Sequence, residues 1–408
     1  MALAIAVATL WPTPDAPQPN EGLCIICGSL GGIDFLSNIG LFVPLGVALH
    51  ISGMPIRRVI AAGGLFSLTI EALQWQLIAG RDASLGDLLA NTLGTAVGAL
   101  AAAARASAGR PTPRIALRLA LAWTVGLVVA GMIAGWALRP APVDLRYWSQ
   151  WVPTRYGYTP FTGTLLQLSL FGRPVPNGKM IDPTFEDQRY AAGLVEVQAL
   201  VVPGVPGPGT MLIARAGNPL GEQFELAQRG SALLFRTRRN ASRLALRSPV
   251  LYLPNALKPL GPASALDINA RAAVSGAAFT LRDATGRESP STVAFTLGAA
   301  WQTISPVEAR VPALQGPVAA LLLLAAALVL GWWALVALGW LGSTVWVATA
   351  GLLLLVAIPV AAGIAPGGAW ETSGFAAGGA LGLLFGRLSA ARTSASGARQ
   401  ARSVPPRR

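Results

Sequence analysis

Residues 316–338 read GPVAALLLLAAALVLGWWALVAL, a run without one charged side chain. About 20 apolar residues, rising 1.5 Å each in a helix, cross the roughly 30 Å of bilayer hydrocarbon. This stretch therefore predicts a membrane helix, and its neighbours repeat the pattern. Predominantly apolar runs lie at 31–53, 59–79, 84–104, 116–138, 342–364 and 371–388. A shorter apolar stretch, 2–12, reads as a truncated or mis-started first helix ending at Trp11 and Pro12. Composition agrees: 53% of the 408 residues are hydrophobic and 12% charged, against about 25% charged in soluble domains. A disordered, fibrous or purely soluble protein is excluded. The expected fold class is an α-helical polytopic membrane protein of about eight transmembrane helices, with an inserted all-β domain.

The formal charge of +13 reports topology rather than nucleic-acid binding. Lys179 and Lys258 are the only lysines among 31 basic residues, an arginine bias that fits a GC-rich genome. Arg57 and Arg58 lie between the second and third spans. Arg105, Arg110, Arg114 and Arg118 follow the fourth, and Arg387, Arg392, Arg399, Arg402, Arg407 and Arg408 end the chain. Alternating through eight spans puts all three groups on one side, which the positive-inside rule makes cytoplasmic. The expectation is a multi-pass protein of the bacterial cytoplasmic membrane with both termini inside, contacting membrane lipids and no nucleic acid. Four domains follow: a bundle over 1–138, an extracytoplasmic β-sandwich over 140–315, three further spans within 316–388 and a basic, disordered tail over 389–408. The sandwich rests on period-two alternation broken by turn residues. It shows in LLQLSLFG (165–172), GLVEVQALVV (193–202), EQFELAQ (222–228), SALLFRTR (231–238), RLALR (243–247) and AAFTLRD (277–283).

Polar residues in three consecutive spans carry the functional signal. Asp34 and Asn38 are four apart, Glu71 and Gln74 three apart, Asp87 and Asn91 four apart; each pair shares a helical face. Each span thus presents one carboxylate and one amide, at depths that agree in the outer third of the bilayer. A carboxylate at a helix centre costs about 2.5–3.5 kcal/mol to insert. A polar contact between membrane helices returns about 0.6 kcal/mol on average. A polar lock between helices is the plain alternative, but it does not offset three carboxylates. Arg81, in the outer hairpin, is the expected counter-charge.

NIGLFVPLG (38–46), IEALQ (70–74), Arg81 and DLLANTLGTAVG (87–98) resemble the VanZ-like membrane family over roughly residues 30–105. Positions matching that family's pattern are Asn38, Phe42, Pro44, Gly46, Glu71, Gln74, Arg81, Asp87, Asn91 and Gly94. The resemblance implies a relation to low-level resistance to the glycopeptide teicoplanin, with which the family's founding member is associated. It supplies no biochemical mechanism.

Other features give narrower expectations. Cys24 and Cys27 form a CxxC pair in the first outer loop, read as a disulfide or a pair of free thiols. No metal and no cofactor is expected, because a zinc site would need further ligands and His50 is the only histidine. The segment FELAQRGSALLFRTRRNASRLALRSP (224–249) is similar to laminin-G or concanavalin-A-like lectin sandwiches. Read as a hairpin turning at 239–242, it places Arg236 and Arg238 on one strand face and Arg243 and Arg247 on the next. That patch would suit an anionic glycan or lipid headgroup, or be a solvated face. Three functions fit: a polar pocket binding an envelope or lipid-linked ligand, a membrane-embedded enzyme using Glu71 or Asp87 as base, and a glycan-binding adaptor anchored by its helices. No catalytic residue is assigned.

Overall fold

The structure is a computed structural model that describes residues 5, 25, 30–77, 84–108, 112–141, 148–155, 157–179, 193–218, 221–257, 264–283, 285–286, 288–305 and 311–402. It divides into two compact units, Met1–Pro111 with Arg243–Arg247, and Thr112–Ser242 with Ser248–Arg408. The helix 113–138, read from the sequence with the first bundle, falls in the second unit.

The first unit holds helices α1 (Gly31–Ile51), α2 (Ile56–Leu77) and α3 (Leu85–Ala108). Glycine lets α1 and α3 cross at backbone contact. A Cβ on Gly94 would lie 2.3 Å from the Ile39 carbonyl oxygen. One on Gly98 would lie 2.0 Å from that of Val43, and one on Gly46 2.0 Å from that of Thr95. Small residues are the usual means of close approach between membrane helices. Phe42, Leu45 and Ile70 form the apolar centre, with Phe42 against Phe66 at 6.0 Å between ring centroids.

In the second unit, α4 (Pro113–Leu138) starts on Pro113, whose missing N–H costs nothing in a first turn. Trp123 donates its indole N–H to the Ala326 carbonyl at 2.9 Å, and Trp346 donates to Thr124 Oγ1 at 2.9 Å. These bonds fasten α4 to α5 (Gln315–Leu352), which explains why α4 belongs here. The two spans expected at 316–338 and 342–364 are two helical segments that meet at Gly339 (φ 69°), a backbone conformation that favours glycine. A π-helical turn (Leu353–Ala357) and α6 (Ile358–Ala362) lead to α7 (Ala369–Arg402). Cβ atoms on Gly374, Gly378 and Gly382 of α7 would lie 2.3, 2.1 and 2.2 Å from the carbonyl oxygens of Ala320, Leu324 and Leu328. The four-residue glycine repeat is a packing face. Helix α7 also runs on to Arg402 where a disordered tail was expected, over Ala- and Arg-containing sequence with good helix propensity.

Among the described residues, four helices are long and apolar enough to cross a membrane: Gly31–Ile51, Leu85–Ala104, Pro113–Leu138 and the 48-residue Gln315–Ala362. Eight are not shown. The last of these holds two of the expected spans, 316–338 and 342–364, parted at Gly339. Helix α2 carries Arg57, Arg58, Glu71 and Gln74, and α7 carries Glu371, which dilute their hydrophobicity. Of the stretch 2–12, only Ile5 is described.

The middle of the chain is a β-sandwich of two antiparallel six-stranded sheets. Its strands are β1 (Trp148–Trp151), β2 (Thr164–Leu170), β3 (Arg173–Pro174), β4 (Gly178–Lys179), β5 (Val195–Val202), β6 (Thr210–Asn218), β7 (Gly221–Arg229), β8 (Ala232–Thr237), β9 (Val250–Leu253), β10 (Leu266–Ala272), β11 (Gly276–Arg282) and β12 (Glu288–Ala294). The sheet orders are β4-β1-β6-β7-β8-β9 and β12-β11-β10-β5-β2-β3. Strand β5 shows how alternation builds the core: Val195, Val197, Ala199 and Val201 are buried, and the residues between them are half-buried. Phe235 sits between Phe224 and Phe279, at 6.5 and 6.0 Å.

The stretch 243–247 departs from its alternating pattern. Asn240–Leu244 is a 3-10 helix, and Ala245 has φ 51°. Strand β8 instead pairs with β7 and β9.

Candidate functional site

The close crossing of α1 and α3 brings Asn38, beside Ile39, onto Asp87. Asn38 Nδ2 donates to Asp87 Oδ1 at 2.8 Å. Ser84 precedes α3 and caps it, its Oγ accepting from the Asp87 backbone N–H at 3.3 Å. In an ordinary capping box the acid three residues on would reach back to the cap's own N–H. Here that N–H donates to Glu71 Oε2 of the neighbouring helix, at 2.8 Å. Glu71 thus takes the capping acid's place while Asp87 accepts from α1, so α1, α2 and α3 are joined through polar groups around the start of α3.

One turn further along α3, Asn91 Nδ2 donates to Ser67 Oγ of α2 at 2.9 Å, and Thr95 Oγ1 donates to the Asn91 carbonyl at 2.9 Å. Glu71, Gln74, Asn91, Ser67 and Thr95 are all buried. Asn91 is 2% exposed, and its side-chain oxygen is buried without a hydrogen-bond donor. A buried acceptor left unmet costs about 1–3 kcal/mol.

Of the residues singled out from the sequence, Asn38 and Asp87 meet, Glu71 lies at the start of α3, and Asn91 lies one turn along. Gln74 is buried on α2, whereas Asp34 is exposed on α1, one turn from Asn38. Arg81, Cys24 and Cys27 lie outside the described residues. Sequence reasoning missed Ser67, Ser84 and Thr95. The first two carry a readable signal, Ser67 by lying four before Glu71 and Ser84 by opening a Ser-x-x-Asp capping pattern.

The arginine patch does not form as a hairpin. Arg236 is on β8 and Arg238 just beyond its end; Arg243 is in the 3-10 helix and Arg247 in the loop after it. The physical reason is Arg239, which leaves the strand for the interior. It is 1% exposed, donating through Nη1 to the Leu138 carbonyl at 3.2 Å and through Nη2 to that of Ala273 at 2.9 Å. Its guanidinium lies 4.3 Å from the Phe295 ring centroid. Burial pushes its pKa down to about 9, which leaves it charged at neutral pH. Asn240 follows it inward, donating from Nδ2 to the Trp136 carbonyl at 3.1 Å.

Another residue that sequence reasoning missed is Glu371, buried at the start of α7. It accepts from Thr296 Oγ1 at 2.5 Å and from the Gly368 backbone at 3.1 Å. The Thr296 bond ties the end of the sandwich to α7, as the Arg239 and Asn240 bonds tie it to α4.

No curated protein and no solved structure matches the chain. The VanZ/LLP1 family model matches residues 6–105. That span contains every helix of the polar layer, and together with the apolar helices it marks a membrane protein. The polar layer is therefore built within a VanZ/LLP1-like segment, residues 6–105.

Proposed function

We propose that the chain is an integral protein of the bacterial cytoplasmic membrane whose polar layer binds an envelope or lipid-linked ligand. In this reading it crosses eight times, with both termini in the cytoplasm and the sandwich outside. The grouping of Arg57 and Arg58, of Arg105 to Arg118, and of the C-terminal arginines supports that orientation. The polar layer then lies near the outer leaflet.

The observation that carries the reading is the set of acceptors concentrated on α1, α2 and α3. Asp87 bonds Asn38, Glu71 bonds Ser84, and the Asn91 oxygen is buried with no donor. A buried acceptor left open costs about 1–3 kcal/mol, more than the roughly 0.6 kcal/mol that a polar contact between membrane helices returns. A ligand rich in N–H or O–H donors, such as an ammonium headgroup, would repay that cost. The relation to teicoplanin resistance implied by the resemblance gives an assay. In a strain lacking the protein, wild-type chain should restore growth under teicoplanin, while Glu71→Gln and Asp87→Asn should reach the membrane at normal levels and fail to restore it. Full restoration by both variants would dismiss the pocket.

A second reading, a glycan-binding adaptor, draws on the sandwich's other sheet. A cavity of about 340 Å³ there is lined by Gln198, Asp267, Asn269, Thr280, Arg282 and Glu288, mixed donors and acceptors suited to sugar hydroxyls. Under this reading the sandwich on an unrelated membrane anchor would restore the phenotype.

A further inference from the structure

One row of the β1-β6-β7-β8 sheet carries polar side chains across four strands. The register sets Gln150 opposite Arg215, Arg215 opposite Glu225, and Glu225 opposite Arg236. Directly opposed residues project from the same face. The reverse face of these strands is the core, with Phe224, Leu226 and Phe235.

Two further charged residues join the row. Arg155 pairs with Glu222 and reaches Glu225 at 3.3 Å. Arg215 bonds Glu222 at 2.8 Å and, through Nε, Gln150 Oε1 at 2.6 Å, and Arg236 pairs with Glu225. All three guanidiniums are thereby tied to the same two carboxylates, with one positive charge in excess. The carboxylate of Glu225 lies deepest, its side chain 7% exposed, while those of Arg155, Arg215 and Arg236 are 40%, 25% and 31% exposed. Burial holds the Glu225 carboxyl above its usual range, reinforced by Glu222 and opposed by Arg236.

The donors are only partly used. A guanidinium carries five N–H groups. Arg155 spends Nη1 alone, Arg215 spends Nε and Nη1, and Arg236 spends Nη2. Among the described residues, Nη2 of Arg155, Nη2 of Arg215 and Nη1 of Arg236 meet no acceptor. A carboxylate is satisfied by one arginine fork. Donors on three arginines match a tetrahedral phosphoryl group, whose four oxygens, two of them non-bridging even in a diester, spread wider than the two of a carboxylate, and Tyr158, whose ring lies 5.8 Å from the Arg155 guanidinium, borders them.

We propose that this sheet face binds a phosphoryl group through Arg155, Arg215 and Arg236, oriented by Glu222 and the more deeply buried Glu225. The group belongs either to a phosphodiester polymer of the envelope or to a phospholipid headgroup. The proposal is independent of the polar layer on α1–α3.

The test uses the full chain in phosphatidylcholine nanodiscs. Glycerophosphoglycerol, a soluble phosphodiester, is titrated by calorimetry, and association with phosphatidylglycerol vesicles is measured by flotation. We expect saturable binding in at least one arm, weakened ten-fold or more by Arg155→Gln and by Arg215→Gln. Arg271→Gln, whose arginine pairs with Glu196 on the other sheet, should bind as wild type. Binding of the soluble probe assigns the polymer, and binding to vesicles alone assigns the headgroup. Arg155 is partly exposed, so its variant should keep the wild-type unfolding temperature, which separates lost binding from lost folding. Absence of saturable binding in both arms, wild-type binding by both variants, or equal weakening by Arg271→Gln would overturn the proposal.

Discussion

Two places in this molecule bury polar groups against apolar surroundings, and they satisfy them differently. Arg239 and Glu371 are met by partners on separate segments: the carbonyls of Leu138 and Ala273 and the Phe295 ring for one, Thr296 and the Gly368 backbone for the other. The layer on α1–α3 combines side-chain bonds between helices with the backbone bond from Ser84 N–H to Glu71, and leaves the Asn91 oxygen without a donor among the described residues. Backbone partners are fixed by the fold, so the first arrangement is a fastening. An acceptor kept unmet in the second is a cost that packing alone leaves in place. In the proposed reading the first arrangement serves structure and the second serves function.

The largest expected effect is at the fastening. Arg239→Ala removes two charge-assisted bonds and strands two carbonyls, and should cost about 3 kcal/mol or more. Thermal unfolding of the full chain in detergent, followed by tryptophan fluorescence, would show it as a lowered midpoint. A midpoint within experimental error of wild type would remove the contrast.

Thr296→Val is the next step down. It deletes the hydroxyl that donates to Glu371 and should cost about 1–3 kcal/mol by leaving a buried carboxylate short of a donor. Pairing it with Glu371→Gln in a double-mutant cycle should return a coupling energy clearly different from zero. Additive effects would mean the bond contributes nothing of its own.

The smallest stability effect belongs to the polar layer. A cycle on Asn38→Leu and Asp87→Asn should give a coupling near 0.6 kcal/mol, the average for side-chain hydrogen bonds between membrane helices. A coupling of several kcal/mol would make the pair a lock after all. Asn91→Leu sharpens the same point: it discards the unmet acceptor together with the bond to Ser67, so the midpoint should move little while function is impaired.

Legibility from sequence followed the range of the forces involved. Helices α1 to α5 were readable because about 20 apolar residues need a bilayer or a core. Asn38, Glu71, Asp87 and Asn91 were readable because helical spacing alone sets them on shared faces. Strands β2, β5, β7, β8 and β11 showed through local alternation. RLALR (243–247) alternates equally well and is not a strand, because Arg239 and Asn240 turn inward toward carbonyls about a hundred residues earlier, at Leu138 and Trp136. Glu222, Glu225, Arg155 and Arg215 meet only through cross-strand register, which local patterns do not contain.

The central claim, that the layer of acids and amides holds a ligand, is tested most directly by native mass spectrometry of the protein released from membrane nanodiscs. The account predicts a co-purifying envelope lipid or lipid-linked species on the wild-type chain, lost in Glu71→Gln and in Asp87→Asn while both variants keep their fold. An identical set of bound masses in all three proteins would contradict it.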